Sequence, residues 1–240
     1  MKDSKIQDVT IVLPTKDHEQ IIYKNFESLN NFCKTYISNY EILIISNGSK
    51  KTNLELITKL SAKYKFIHTK LEESGKGLAV RYGMLNSKYD NVLIYDSDFS
   101  YNIEEFLKFF DSKNIPLAPF VHLKRKISKN IIKNTPIIRI IAGITFNLLI
   151  RIILKINSKD TQAGFKFIQK SKFKNCTNFK SDDFLYDVEL FLLARNNHVK
   201  AYPIDIDTLI KSEHSNVGIL KDSLQMFLKL FKLRQRYKLK

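Results

Sequence analysis

Two cysteines, no tryptophan, seven glycines and five prolines are all that 240 residues carry of those types. Cys33 and Cys176 cannot build a disulfide framework, and no CxxC pair is present to hold zinc. They read as reduced thiols in a cytosolic setting. Scarce glycine and proline, beside 44% hydrophobic and 12% aromatic residues, exclude a collagen-like, low-complexity or disordered chain. Long apolar runs are missing as well. The N-terminus, MKDSKIQDVT, offers no apolar h-region, so no signal peptide is expected. The longest apolar candidate, Pro136 to Ile156, is interrupted by Arg139, Arg151 and Lys155, short of the roughly 18 apolar residues of a span. No transmembrane helix is expected. His18, His68, His122, His198 and His214 show no metal-ligand spacing, and no Ser-His-Asp arrangement suggests hydrolysis.

Acids are outnumbered, 24 against 40 Lys plus Arg, for a net charge of +16. That excess points to an anionic partner: nucleic acid, an acidic membrane or phosphorylated substrates. Residues 121–160 hold nine basic residues and one acid, and 211–240 hold eight and two, so these segments carry nearly all of the excess. Both are rich in Ile, Leu and Phe. Nucleic-acid surfaces pair basic charge with polar or stacking groups, whereas basic plus aliphatic is the composition of an interfacial helix. From Ile219 to Tyr237, Leu220, Leu224, Phe227, Leu228, Phe231 and Leu233 recur near helical spacing among Lys221, Lys229, Lys232, Arg234 and Arg236. This predicts an amphipathic C-terminal helix that either lies on a membrane or packs on the domain with a solvated basic face.

Strands and helices alternate through the first hundred residues. Strands are predicted at 9–14 (VTIVLP), 41–46 (EILIIS), 65–69 and from Asn91 into NVLIYDSD, with helices over about 19–34, 53–63 and 76–87. Continuous apolar strands between helices predict a mainly parallel sheet covered on both faces, which binds ligands at its strands' carboxyl ends. Those ends carry Pro14-Thr15-Lys16-Asp17, Ser46-Asn47-Gly48-Ser49 and Asp96-Ser97-Asp98. Two carboxylates in Asp-x-Asp can converge on one hard cation, Mg²⁺ or Mn²⁺, able to clamp a diphosphate. Gly75-Lys76-Gly77 opens a helix with Arg81 one turn in, and a glycine turn, a helix N-terminus and two cations can hold phosphate. Each motif has an ordinary alternative: GKG as a helix-entry turn, Asp160 as a turn residue, Asp187 as a cap and Glu189 as an ion-pair partner. Arg139, isolated in an apolar run, calls for an anionic partner.

The order PTKDHE, SNGS, GKGLAVRYG and YDSDFS resembles the donor half of family 2 glycosyltransferases of GT-A fold. DTQAGFKFI (160–168), LYDVELFLLA (185–194) and Ala201-Tyr202-Pro203-Ile204 resemble dolichyl-phosphate β-glucosyltransferases more than the related mannose synthases. The resemblance spans roughly residues 8 to 237. It implies that Asp96 and Asp98 hold the metal and diphosphate, and that Pro14, Thr15, Asp17, Glu19, Ser46, Asn47, Gly48, Lys76 and Arg81 line the donor site. It implies Asp160 and Gln162 beside the sugar, Asp187 and Glu189 as a second acidic catalytic motif, and Arg125 and Arg139 on the lipid phosphate. Ser46-Asn47 stands where the family carries two acids before Gly-Ser, and Asp17-His18-Glu19 where it carries Asn-Glu-Glu. Both departures fall in the nucleoside pocket, so UDP- and GDP-linked donors stay open.

The expected architecture is a GT-A-like (Rossmann-like) α/β domain over 1–215, followed by a basic amphipathic helix over 216–240. The expected reaction moves a hexose, glucose first, from a nucleotide sugar to a polyprenyl (dolichyl-type) phosphate, peripherally at the cytoplasmic membrane face. UDP-glucose is the first donor and GDP-mannose the second. A phosphate monoester's second pKa is about 6, so such an acceptor is already ionised and needs no strong base. A catalytically inactive membrane-bound relative, suggested by the altered nucleoside pocket, and a basic nucleic-acid-binding protein, which would not explain the strand-end acids, are the rival readings.

Overall fold

A computed structural model describes residues 5–126, 137–206 and 219–238, without the side chains of 138, 139, 142 and 219–227. Seven strands form one sheet in the order β3-β2-β1-β4-β6-β5-β7. They are β1 (Val9–Thr15), β2 (Tyr40–Asn47), β3 (Ile67–Leu71), β4 (Asn91–Tyr95), β5 (Phe120–Arg125), β6 (Phe165–Gln169) and β7 (Ala201–Ile206). The first four are mutually parallel, β6 runs antiparallel to both β4 and β5, and β5 and β7 are parallel. The helices are α1 (Glu19–Tyr36), α2 (Lys51–Ser61), α3 (Lys76–Leu85), α4 (Ile137–Leu154), α5 (Tyr186–Asn196) and α6 (Ile219–Arg236), with a 3₁₀ helix at Ile103–Phe109.

The alternating burial of the strands builds two apolar layers. Val9, Ile11 and Leu13 of β1 join Phe26 and Leu29 of α1, Leu60 of α2 and Phe106 of the 3₁₀ helix on one face. Val12 turns to the other face with Val80 and Met84 of α3, Ile150 and Leu154 of α4, Leu190 of α5, and Leu230 and Leu233 of α6. Residues buried on both faces explain why β1, β2 and β4 read as unbroken apolar runs. The C-terminal helix packs on the domain through Leu230 and Leu233. Behind the end of β4, Tyr95 stacks edge-on against Phe165 at 4.9 Å and donates its hydroxyl to the Tyr101 carbonyl at 2.6 Å. This aromatic wedge fixes the direction in which the chain leaves β4.

Boundaries move by one or two residues: α1 reaches Tyr36, α2 starts at Lys51, and β3 occupies 67–71 rather than 65–69. β3 lies at the sheet's edge and is half exposed, so its weak apolar pattern marked its position poorly.

Candidate active site

Three carboxyl ends meet where the parallel order passes from β1 to β4, the kind of switch point at which open α/β sheets bind ligands. Asp96 is the first residue past β4. Its N–H donates to the Gly164 carbonyl at 2.9 Å, and its carboxylate packs closely against that glycine. A Cβ on Gly164 would stand 1.7 Å from Asp96 Oδ2, so only glycine fits this close approach. The glycine of DTQAGFK thus makes room for the first acid of DSD.

Lys76, at the start of α3, sits 2.8 Å from both Asp96 oxygens, with hydrogen-bond geometry toward Oδ2 alone. Oδ1 is left buried without a hydrogen bond. The ammonium also lies 5.7 Å from the Phe184 ring and 5.8 Å from that of Tyr186. Burial, and then the charges of Asp98 and Asp187, push the Asp96 carboxyl up despite Lys76. Burial opposes the Lys76 charge, yet Asp96, Asp187 and Asp98 outweigh it and hold the ammonium above its ordinary range. Negative charge is in local excess, and an added cation is favoured. Asp98 turns its carboxylate to the N–H and hydroxyl of Ser100, at 3.0 and 2.7 Å.

No cluster of three or more His, Cys, Asp or Glu able to hold a metal occurs among the described residues. Two carboxylates, one with a buried oxygen that has the Lys76 ion pair but no hydrogen bond, nevertheless fit a hard divalent cation completed by substrate phosphate and water.

The nucleoside-pocket candidates form a connected set. Asp17 caps α2, accepting from the Lys50 N–H at 2.9 Å and Asn53 Nδ2 at 2.8 Å; the Lys50 hydrogen bond leads in holding its carboxyl below the usual range. Glu19 is buried and accepts from Ser46 Oγ at 3.1 Å, and Ser46 Oγ lies 3.0 Å from His68 Nε2. Asn47 ties two loops together, donating to the Thr15 carbonyl at 2.7 Å and accepting from the Gly75 N–H at 3.0 Å. Gly48, at φ 72, makes the left-handed turn after β2, and Pro14 and Thr15 close β1.

Several expected ligand-binding residues already have protein partners. Arg125, expected at a lipid phosphate, is bidentate on Asp160: Nε to Oδ2 at 2.7 Å and Nη2 to Oδ1 at 2.9 Å. The two motifs are 35 residues apart, and the planar fork of arginine matches a carboxylate as well as it does a phosphate. Burial opposes ionisation of Asp160, but the Arg125 charge and hydrogen bonds hold its carboxyl below the ordinary range. Asp160 in turn accepts from the Gln162 N–H at 3.2 Å, so the pair shapes the DTQ turn. Asp187 is closed off and bonded to buried Lys166 at 2.5 Å. Glu189 is fully buried, with both oxygens engaged by Ser181, Arg236 and Tyr237. Both acids are buried and enclosed by these partners. The helix-entry GKG is no open phosphate cradle either, because the N–H groups of Gly77 and Leu78 donate to the Asp182 carbonyl. Arg81 bonds Asp182 at 2.5 Å and the Phe179 carbonyl at 3.2 Å. The Arg139 side chain lies outside the described residues. Lys166 and Asp182 were missed; Lys166 sits inside the FKFI run, where a buried lysine looks like strand alternation.

The glycosyl transferase family 2 profile matches residues 10–177, and the chain belongs to that family. Its fold is GT-A-like. Among curated relatives it is 27% identical over 201 residues to dolichyl-phosphate beta-glucosyltransferase ALG5C of Trichomonas vaginalis, covering 78% of this chain and 58% of that protein. It is 22% identical over 252 residues to the human dolichyl-phosphate beta-glucosyltransferase, covering 98% and 77%. The alignment with the Trichomonas protein thus spans less than two thirds of that relative's length. In solved structures it resembles glucosyl-3-phosphoglycerate synthase from Mycobacterium tuberculosis in complex with UDP, with TM-score 0.68 at 13% identity, covering 100% of this chain and 82% of that one. The same enzyme with Mn²⁺ and UDP-glucose gives a TM-score of 0.67 at 12% identity, covering 100% and 81%.

Proposed function

We propose that this protein transfers glucose from UDP-glucose to the phosphate of a dolichyl-type polyprenyl phosphate, as a peripheral enzyme at the cytoplasmic face of a membrane. The observation that carries the reading is the Lys76–Asp96 pair at the β4 end, with Asp98 two residues on and an Asp96 oxygen left without a hydrogen bond. Asp96 and Asp98 would hold Mg²⁺ or Mn²⁺, which supplies charge neutralisation to a leaving diphosphate. Lys76 is placed to add a second positive charge on the same side. On this reading Gln162, in the turn braced by Asp160 and Arg125, would lie beside the sugar. The acceptor oxygen is anionic near neutral pH, so no general base is required of these residues. Curated relatives carrying the dolichyl-phosphate beta-glucosyltransferase name and a fold neighbour solved with Mn²⁺ and UDP-glucose favour this donor and acceptor.

No helix among the described residues is long and apolar enough to cross a membrane. One face of α4 instead exposes Ile137, Ile141, Ile144, Leu148 and Ile152 at helical spacing. α6 packs on α4 and exposes Leu228 and Phe231 beside Lys229 and Lys232. Apolar stripes flanked by lysine and arginine suit an anionic bilayer.

The test is a donor screen with a short polyprenyl phosphate and Mg²⁺ or Mn²⁺, read by the mass of the lipid product. A hexosyl lipid formed from UDP-glucose, and lost in Asp98→Ala, is the expected result. Hexosyl transfer from GDP-mannose alone, or no lipid product from any donor, overturns the reading.

A further inference from the structure

The loop at 179–183 has no catalytic motif of its own, yet it caps the helix that presents Lys76. The Asp182 carbonyl accepts from the Gly77 N–H at 2.8 Å and the Leu78 N–H at 3.2 Å, taking the place of a side-chain cap on α3. The Asp182 carboxylate and the Phe179 carbonyl hold Arg81 one turn on. The approach is close: a Cβ on Gly77 would stand 2.1 Å from the Ser181 carbonyl oxygen. A shift of this loop therefore moves the first turn of α3, and Lys76 with it.

The loop is in turn fastened from behind. Glu189 on α5 accepts from the Ser181 N–H at 2.8 Å. Its other oxygen accepts from Arg236 Nη1 at 3.1 Å and Tyr237 Oη at 2.9 Å, both at the end of α6. Lys229, one face along α6, pairs with Asp183 in the same loop. One buried carboxylate thus joins the C-terminal helix, the loop and, through the loop, the Lys76–Asp96 pair. Fully desolvated and saturated with hydrogen bonds, Glu189 has nothing left for a substrate.

We propose that Glu189 is a positioning residue, and that α6 acts through it as a strap holding the 179–183 loop, and hence Lys76, in place for a nucleotide diphosphate. Only the identity of the bound ligand rests on the glycosyl-transfer reading above. The strap is mechanical and operates in the unliganded protein. Because α6 also carries the exposed Leu228 and Phe231, whatever orders this helix tightens the donor side of the site.

The test uses the full chain as wild type, Glu189→Gln, the double variant Arg236→Met/Tyr237→Phe, the conservative Arg236→Lys, and Gln235→Ala as an exposed control on the same helix. Amide hydrogen exchange is followed without ligand, and binding of UDP with Mn²⁺ is measured by calorimetry. Loss of a hydrogen bond to a charged group is expected to speed exchange roughly tenfold in peptides covering 76–82 and 179–186, leaving 20–34 and 42–46 unchanged. The UDP dissociation constant is expected to rise about three- to tenfold in Glu189→Gln and in the double variant, with Arg236→Lys near wild type. Unchanged exchange at 76–82 overturns the strap, and so does acceleration throughout the chain, which would make Glu189 a general stability residue. Faster exchange at 76–82 with unaltered UDP affinity overturns the positioning role. Wild-type protein that binds no UDP overturns the donor assignment in the preceding subsection, while the exchange data still decide the strap.

Discussion

Lys166–Asp187 and Lys76–Asp96 are the same chemical pair in two settings. The first is sealed, its side chains 1% and 2% exposed, between β6 and the first turn of α5. The second stands at the end of the parallel strands with its side chains 18% and 20% exposed. The sealed pair is locally complete: Lys166 also donates to the Ala163 carbonyl, next to the glycine on which Asp96 rests. The open pair is incomplete, with an Asp96 oxygen lacking a hydrogen bond and with burial, then two further carboxylates, raising its pKa. Sealing a pair fixes the scaffold, and leaving one partly open keeps a charge available for ligand.

Breaking the sealed pair has the largest expected effect. Lys166→Met removes the cation and leaves Asp187 charged in a dry core, at a cost of about 3–5 kcal/mol. For a chain of this size that lowers the melting temperature by about 10 °C. A melting temperature within a degree or two of wild type would show that the pair is not desolvated as its burial implies.

Acid attacks the same closed region. His122 lies opposite Lys166 in the β5–β6 register and donates Nδ1–H to the Leu123 carbonyl. Burial, with Lys166 and Lys124 adding repulsion, lowers its pKa to about 4 against the Leu123 hydrogen bond and Asp160. The native state therefore resists the proton that the unfolded chain takes up near pH 6.5. The stability from His122 is whole above about pH 6.5 and is lost as pH falls toward 4, on the order of 3 kcal/mol in all. His122→Phe, filling the space beside Phe120 and Phe191, is expected to flatten the urea-unfolding stability profile across that window. Equal slopes in the two proteins would mean that the ring is protonated in the fold.

Much of this scaffold is legible in the residues. Strands buried on both faces announced β1, β2 and β4, and Asp96, Asp98 and Lys76 followed from strand-end acids and a glycine turn. The antiparallel half gave weaker signals. Lys166 breaks the apolar run of β6, and Pro203 interrupts β7, where an edge position tolerates it. Partnership was the least legible property. Arg125 and Asp160 each look like ligand-binding residues alone, and only the fold brings the fork onto the carboxylate. Asp182 acts through its main-chain carbonyl, which no side-chain motif records.

A much smaller effect on stability than at the sealed pair is expected at the open pair, where the effect on function is greatest. Lys76→Met leaves Asp96 beside Asp98 and Asp187, but at 20% exposure the carboxylate can hydrate or take up a proton. A partly exposed pair is worth about 1 kcal/mol or less. The surface pair Lys70–Glu72, exposed by 46% and 84%, sets the floor, and Lys70→Met is expected to change stability by no more than a few tenths of a kcal/mol. Lys76→Met is expected within about 1 kcal/mol of that floor by urea unfolding, while UDP binding weakens roughly tenfold or more through loss of a charge-assisted contact. Its deficit should also shrink as the pH is lowered, because an Asp96 deprived of its ammonium binds a proton more readily and so escapes the uncompensated charge. Were Lys76→Met to destabilise the fold as much as Lys166→Met, with no relief on acidification, the two pairs would be equivalent parts of the scaffold and Lys76 would hold no charge in reserve for a ligand.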